Sequence, residues 1–176
     1  MDKVTGAFTY LTSENSITSN NIKSLITDSE HNLWISTFMG GLDCRSNGQQ
    51  KVTNYKHVQS NPHSLLVNSV RKTILEGDSG IWLAYQHYKA EISYFSFRTK
   101  SFTHFNLDSI NNNVYLFDIL RQGEKTLWAI SNETLYRMDI HTHAVEKMVP
   151  NDSTYLGLFT FCLDDSGNIW IGTIGN

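Results

Sequence analysis

Hydrophobic and polar positions in this chain fall into short runs without helical spacing, and the runs recur. A seven-residue apolar run comes first in each recurrence: 21–27, 69–75, 115–121 and 157–163. A polar cluster follows (Asp28-Ser-Glu-His-Asn32 in the first instance), with the Asp, Asn and Gly chemistry of a hairpin turn. Next comes a shorter run built on an aliphatic residue and Trp: 33–37, 81–85, 127–131 and 169–173. Two further strand-like runs complete each of the first three recurrences: 41–45 and 52–55, 91–95 and 102–105, 134–138 and 145–148. First and second runs that are apolar on both faces predict strands sandwiched between neighbouring sheets. No helix of useful length is predicted. The spacing from Ser64 to Glu76 mimics one, but alignment of the repeats assigns it to a loop and a strand.

The period is set by Trp34, Trp82, Trp128 and Trp170, which are 48, 46 and 42 residues apart. Short strands recurring every 40–50 residues or so predict an all-β fold of β-propeller blades, each a four-stranded antiparallel sheet. The predicted organisation is an orphan outer strand in 1–12 (Phe8–Leu11), full blades at 20–56, 67–106 and 113–149, and the inner hairpin of a further blade at 156–176. That is an incomplete propeller of about 3.75 blades, whereas rings use roughly 4–8. Open flanks of this kind expose strand edges and apolar faces. The expectation is therefore a homodimer, with each outer strand completing the other chain's last hairpin, or association with further blades. All four Trp residues are expected to be mostly buried.

Composition excludes more than it assigns. A net charge of −3 without a basic cluster argues against nucleic-acid binding. No apolar run is long enough to span a membrane, and Met1-Asp-Lys opens no signal peptide. Cys44 and Cys162 are not repeat-equivalent and read as two free buried thiols.

The stretch from Asn20 to Leu42, with Asp-x-x-x-Asn-Leu-Trp-Ile-Ser-Thr followed by Gly-Gly-Leu, resembles the two-component-regulator propeller repeat. Asp164 to Thr173 carries the pattern most closely, as Asp-Asp-Ser-Gly-Asn-Ile-Trp-Ile-Gly-Thr. The third repeat departs most, with Gln122 at the acidic position and Asn-Glu-Thr-Leu for Gly-Gly-Leu. The resemblance implies a piece of the periplasmic, extracytoplasmic sensor region of a hybrid two-component system. In that family such regions typically sense products of complex carbohydrates and signal to a histidine kinase. An oligosaccharide ligand is thus expected, with no enzymatic activity in this chain. The alternatives are a propeller lyase of the streptogramin-lyase type and a non-catalytic protein-interaction scaffold.

The turn residues Asp28, Asp164 and Asp165 lack the spacing of a calcium loop and are read as turn caps. His141 and His143 form a candidate metal half-site without a third ligand, so no metal or cofactor is expected. No nucleophile–base or phosphate-loop pattern appears, so no catalytic residue is assigned. The most ligand-like segment is the loop after the second strand of the second repeat. There Tyr85, His87 and Tyr88 offer flat faces with polar edges for sugar rings, and Lys89 adds a donor favouring anionic glycans.

Overall fold

The computed structural model describes residues 4–49, 51–110, 113–149 and 157–174. Three four-stranded antiparallel sheets follow in chain order. They comprise β1 (Ile22–Thr27) to β4 (Val52–Tyr55) through β2 (Leu33–Thr37) and β3 (Gly41–Arg45); β5 (Val70–Glu76), β6 (Gly80–Tyr85), β7 (Glu91–Ser96) and β8 (Ser101–Asn106); and β9 (Leu116–Gln122), β10 (Thr126–Ser131), β11 (Leu135–Asp139) and β12 (Val145–Met148). A two-stranded sheet, β13 (Leu158–Leu163) and β14 (Ile169–Thr173), ends the series. The fold is all-β, an unclosed set of propeller blades with no helix among the described residues.

Each Trp occupies the same register, opposite Ile26, Ile74, Leu120 and Cys162 on the first strand of its sheet. The first three also project towards the following sheet. Trp34 packs with Val70, Ile81, Leu83, Tyr85 and Phe95 of the second sheet. Trp82 packs with Leu116, Leu127, Ala129 and Met138 of the third, and Trp128 with Leu158 and Phe161 of the last. The cores therefore lie between sheets. Burying a Trp of 150–250 Å² at about 25 cal/mol per Å² contributes roughly 4–6 kcal/mol, an upper figure, to each boundary.

Trp170 departs from the expectation of burial. It is 64% exposed, against 2%, 3% and 7% for Trp34, Trp82 and Trp128, because no described sheet follows β14. Cys162 is exposed for the same reason, whereas Cys44 is buried and its thiol pKa is raised to about 11 by that burial. Phe8–Leu11 is a second correction. The segment forms no strand, because none of the described strands pairs with it. The first strands are also less enclosed than their apolar character suggests. β1 alternates exposed and half-buried, while β6 is buried throughout.

One device recurs under every Trp. The indole N–H donates to a side-chain oxygen six residues earlier: Asp28 at 2.8 Å, Glu76 at 2.6 Å, Gln122 at 2.7 Å and Asp164 at 2.9 Å. Asp28 and Asp164 also accept from the Asn32 and Asn168 backbone N–H, which closes the turn as expected of caps. The position requires an acceptor, not a charge, so Gln122 serves it. As an amide, Gln122 can also donate from Nε2 to the Gly167 carbonyl of the next hairpin at 3.0 Å. In the first repeat, Gly41 has φ +92°, and a Cβ there would collide with the Tyr55 carbonyl.

Candidate functional site: the loop face and the inner-strand cleft

The loops joining second to third strands, and those leading from one sheet into the next, lie at one end of the strands. Blade contacts on this face run through those loops. Met39 N–H, after β2, donates to Ser69 Oγ at the entry to β5.

Of the four residues assigned to a ligand, Tyr85 is misplaced. It ends β6 and is wholly buried, with its hydroxyl donating to Ser93 Oγ at 2.7 Å. Ser93 Oγ is in turn 2.6 Å from His104 Nδ1. Burial pushes the Tyr85 pKa up and the His104 pKa down, as desolvation does to a phenol and an imidazole. The equivalent positions Thr37 and Ser131 are buried as well, so this column of the repeat belongs to the core. Its place as the last residue of a strand flanked by sheets was the signal in the sequence.

The other three lie on the loop. His87 is half-buried, with Nε2 3.4 Å from Glu91 Oε2 but out of line for a hydrogen bond. Burial lowers its pKa, and Glu91 opposes that effect. Tyr88 is exposed, its ring 4.3 Å from that of Tyr115 at the entry to β9. The Tyr88 hydroxyl raises the Tyr115 pKa to about 12. Lys89 is exposed, and its carbonyl accepts from Glu91 N–H. Gln86 Oε1 is buried without a hydrogen-bond partner beside this cluster. The loop thus presents a tyrosine pair, one lysine and a neutral-leaning imidazole.

A cleft of about 260 Å³ lies on the first strands, lined by residues from their loop-face halves. Lys23, Arg71, Phe117 and Phe159 line it, joined by Lys72, Asp118 and Thr160. This cleft was not anticipated, because its residues are dispersed over 23–160 and only the repeat alignment brings them to one level.

A cavity of about 640 Å³ opens at the other end of the strands between the first two sheets. Its aromatic floor stacks Trp34 on Phe97 at 5.4 Å and on Tyr55 at 5.9 Å. On its polar rim Asp28 is already engaged, accepting from Asn32 and Trp34. A similar gap of about 340 Å³ between the next two sheets is lined by Glu76, Trp82, Tyr94 and Phe105. Both are spaces left where sheets diverge beside their turns. Among the described residues, no group of three His, Cys, Asp or Glu is placed to hold a metal. His141 and His143 sit in a turn rather than on a strand, and the His143 ring packs on Phe105 at 4.7 Å. No helix among the described residues is long and apolar enough to cross a membrane.

Residues 16–39 match the profile of the two component regulator propeller. No curated protein matches the chain. Among solved structures, the extracellular domain of the putative hybrid two component system BT3049 from B. thetaiotaomicron superposes with a TM-score of 0.75 at 24% identity, over 90% of this chain and 22% of that one. The extracellular domain of the putative hybrid two component system BT4673 from the same organism gives 0.75 at 15%, over 94% and 21%. Virginiamycin B lyase from Staphylococcus aureus gives 0.64 at 12%, over 86% and 48%. At these identities the likeness shows the fold, and the chain spans about a fifth of the length of the two extracellular domains. The match to the two component regulator propeller is confined to residues 16–39 in the first sheet, and the Trp frame of that sheet recurs in the other three.

Proposed function

We propose that this chain is a section of the extracytoplasmic, periplasmic sensor region of a hybrid two-component system. In this reading its loop face receives an oligosaccharide, and binding is passed to a histidine kinase. The observation that carries the reading is the family repeat at 16–39, supported by blade likeness to extracellular domains of such systems. The exposed Tyr88–Tyr115 pair supports the sugar component, because aromatic faces suit the apolar faces of pyranose rings. The chain itself is proposed to be non-catalytic, a binding module whose output depends on the parts it is joined to.

The same reading includes self-association. The hairpin β13–β14 exposes Phe159, Trp170, Ile171 and Ile174, and Trp170 occupies the position that every earlier sheet buries against its neighbour.

Calorimetric titration of the chain with a panel of neutral and charged oligosaccharides tests the ligand. Micromolar to millimolar binding of at least one member, weakened severalfold in Tyr88→Ala, is expected. No heat from any member at millimolar concentration would overturn the carbohydrate reading.

A further inference from the structure

The four first strands share an irregularity at one repeat position. Pairing skips one residue between Ile22 and Ser24, between Val70 and Lys72, and between Leu158 and Thr160. In the third sheet it passes from Asp118 opposite Ile130 to Leu116 opposite Ser131. The residues left unpaired are Lys23, Arg71, Phe117 and Phe159, all lining the inner-strand cleft. A bulge re-aims the side chain it carries, and such features gather at functional sites. Four in register place two cations and two aromatic rings side by side.

Their contacts leave specific groups available. Arg71 lies 4.9 Å over the Phe117 ring, and its Nε donates to the Phe117 carbonyl at 2.9 Å. The guanidinium plane is thereby fixed, while its two Nη groups have no hydrogen-bond partner among the described residues. Phe117 continues to Phe159, with ring centres 5.2 Å apart. Lys72 is paired with Asp118 at 3.2 Å, and Asp118 also accepts from Thr160 Oγ1. The acidic group of the cleft is therefore neutralised within it. Lys23, resting 5.4 Å from the Phe38 ring centre, adds a second cation with no carboxylate partner among the described residues. The cleft is locally cationic in a chain of net charge −3.

We infer that the bulged positions form a subsite for an anionic saccharide, a ring bearing a carboxylate or sulfate. Arg71 engages the anion through its Nη edge, Lys23 reinforces it, and Phe117 and Phe159 form the wall under the sugar. A fixed guanidinium edge matches the two oxygens of such a group, which an ammonium would meet only as a point charge. The saccharide component rests on the carbohydrate reading above; the requirement for an anion does not.

The test is calorimetric titration of the whole chain with an oligogalacturonide, a sulfated galactose oligosaccharide and a neutral galactose oligosaccharide. Binding of one or both anionic probes at least tenfold tighter than the neutral one, weakening as salt rises, is expected. The probe that binds distinguishes uronate from sulfate. Arg71→Met, which keeps the stem, should lose at least tenfold, and Phe159→Ala, on an already exposed ring, should lose several-fold with an unchanged melting temperature. Neutral and anionic probes binding alike, with both variants indifferent, would overturn the subsite and leave the sensor reading standing. Absence of binding by all three probes would overturn the subsite, and silence across the wider panel would remove the carbohydrate reading as well.

Discussion

Arg121 holds Glu76 across the boundary between the second and third sheets, with Nε donating to Oε2 at 2.6 Å and Nη2 to Oε1. That carboxylate also accepts the indole N–H of Trp82, so one side chain ties a turn, a core ring and a neighbouring blade together. Arg121→Ala should lower stability by about 1–3 kcal/mol, the range for removing a partly buried charged hydrogen-bond partner. Glu76→Gln should cost less, because an amide still accepts from Trp82, as Gln122 does from Trp128. Urea unfolding followed by Trp emission checks both; equal losses would contradict this account of the shared carboxylate.

Acid should weaken the turns that Asp28 and Asp164 close. Burial works to raise the Asp28 pKa, but hydrogen bonds from Trp34 and Asn32 outweigh it and hold the value below 3.8. The bonds from Trp170 and Asn168 hold Asp164 at about 2. Both values are depressed on folding, so the unfolded chain takes up protons first. The associated stability is present above about pH 4 and is lost as pH falls through the folded values. Thermal melts from pH 6 to pH 2 should show this decline, and Asp28→Asn should flatten part of it. Gln122 at the equivalent third position contributes none.

The two tyrosines of the loop segment should separate cleanly. Tyr85→Ala removes a buried ring and leaves Ser93 without its donor, costing about 3–5 kcal/mol as a large core truncation. Tyr88→Ala, on an exposed ring, should leave the melting temperature within a degree or two while weakening saccharide binding. A melt that responds to Tyr88 and ignores Tyr85 would reverse the placement given above.

Light scattering should find a species of about twice 20.1 kDa at tens of micromolar protein, with Trp170→Glu returning it to the single-chain mass. A native chain of single mass under those conditions would remove self-association. Trp128→Ala, one boundary inwards, should instead cost about 3–5 kcal/mol whatever the association state.

The architecture was legible because each repeat states it again. Trp in a fixed frame, turn-forming residues before it and apolar runs on either side lead to the observed sheets with little adjustment. What failed did so where a pattern lacked its surroundings. Phe8–Leu11 has the alternation of a strand but no neighbour to pair with, and Trp170 has the core frame without a core to enter. Tyr85 was read by side-chain chemistry when its strand position had already decided its burial. The inner cleft was hidden for a different reason. A bulge depends on pairing, so nothing local distinguishes Lys23 or Phe159 from the residues beside them.

Because Trp34, Trp82 and Trp128 each enter a core shared with the sheet that follows, the array has a direction. No sheet owns its core, and each borrows one from the next in line. Local opening should therefore begin at β13–β14, which lends a surface to Trp128 but receives none for Trp170. Loss of that hairpin would pass the exposed state back by one repeat, from Trp170 to Trp128, and leave the first two boundaries intact. Protection from hydrogen exchange, read along the chain, would then rise in steps from the last sheet towards the first.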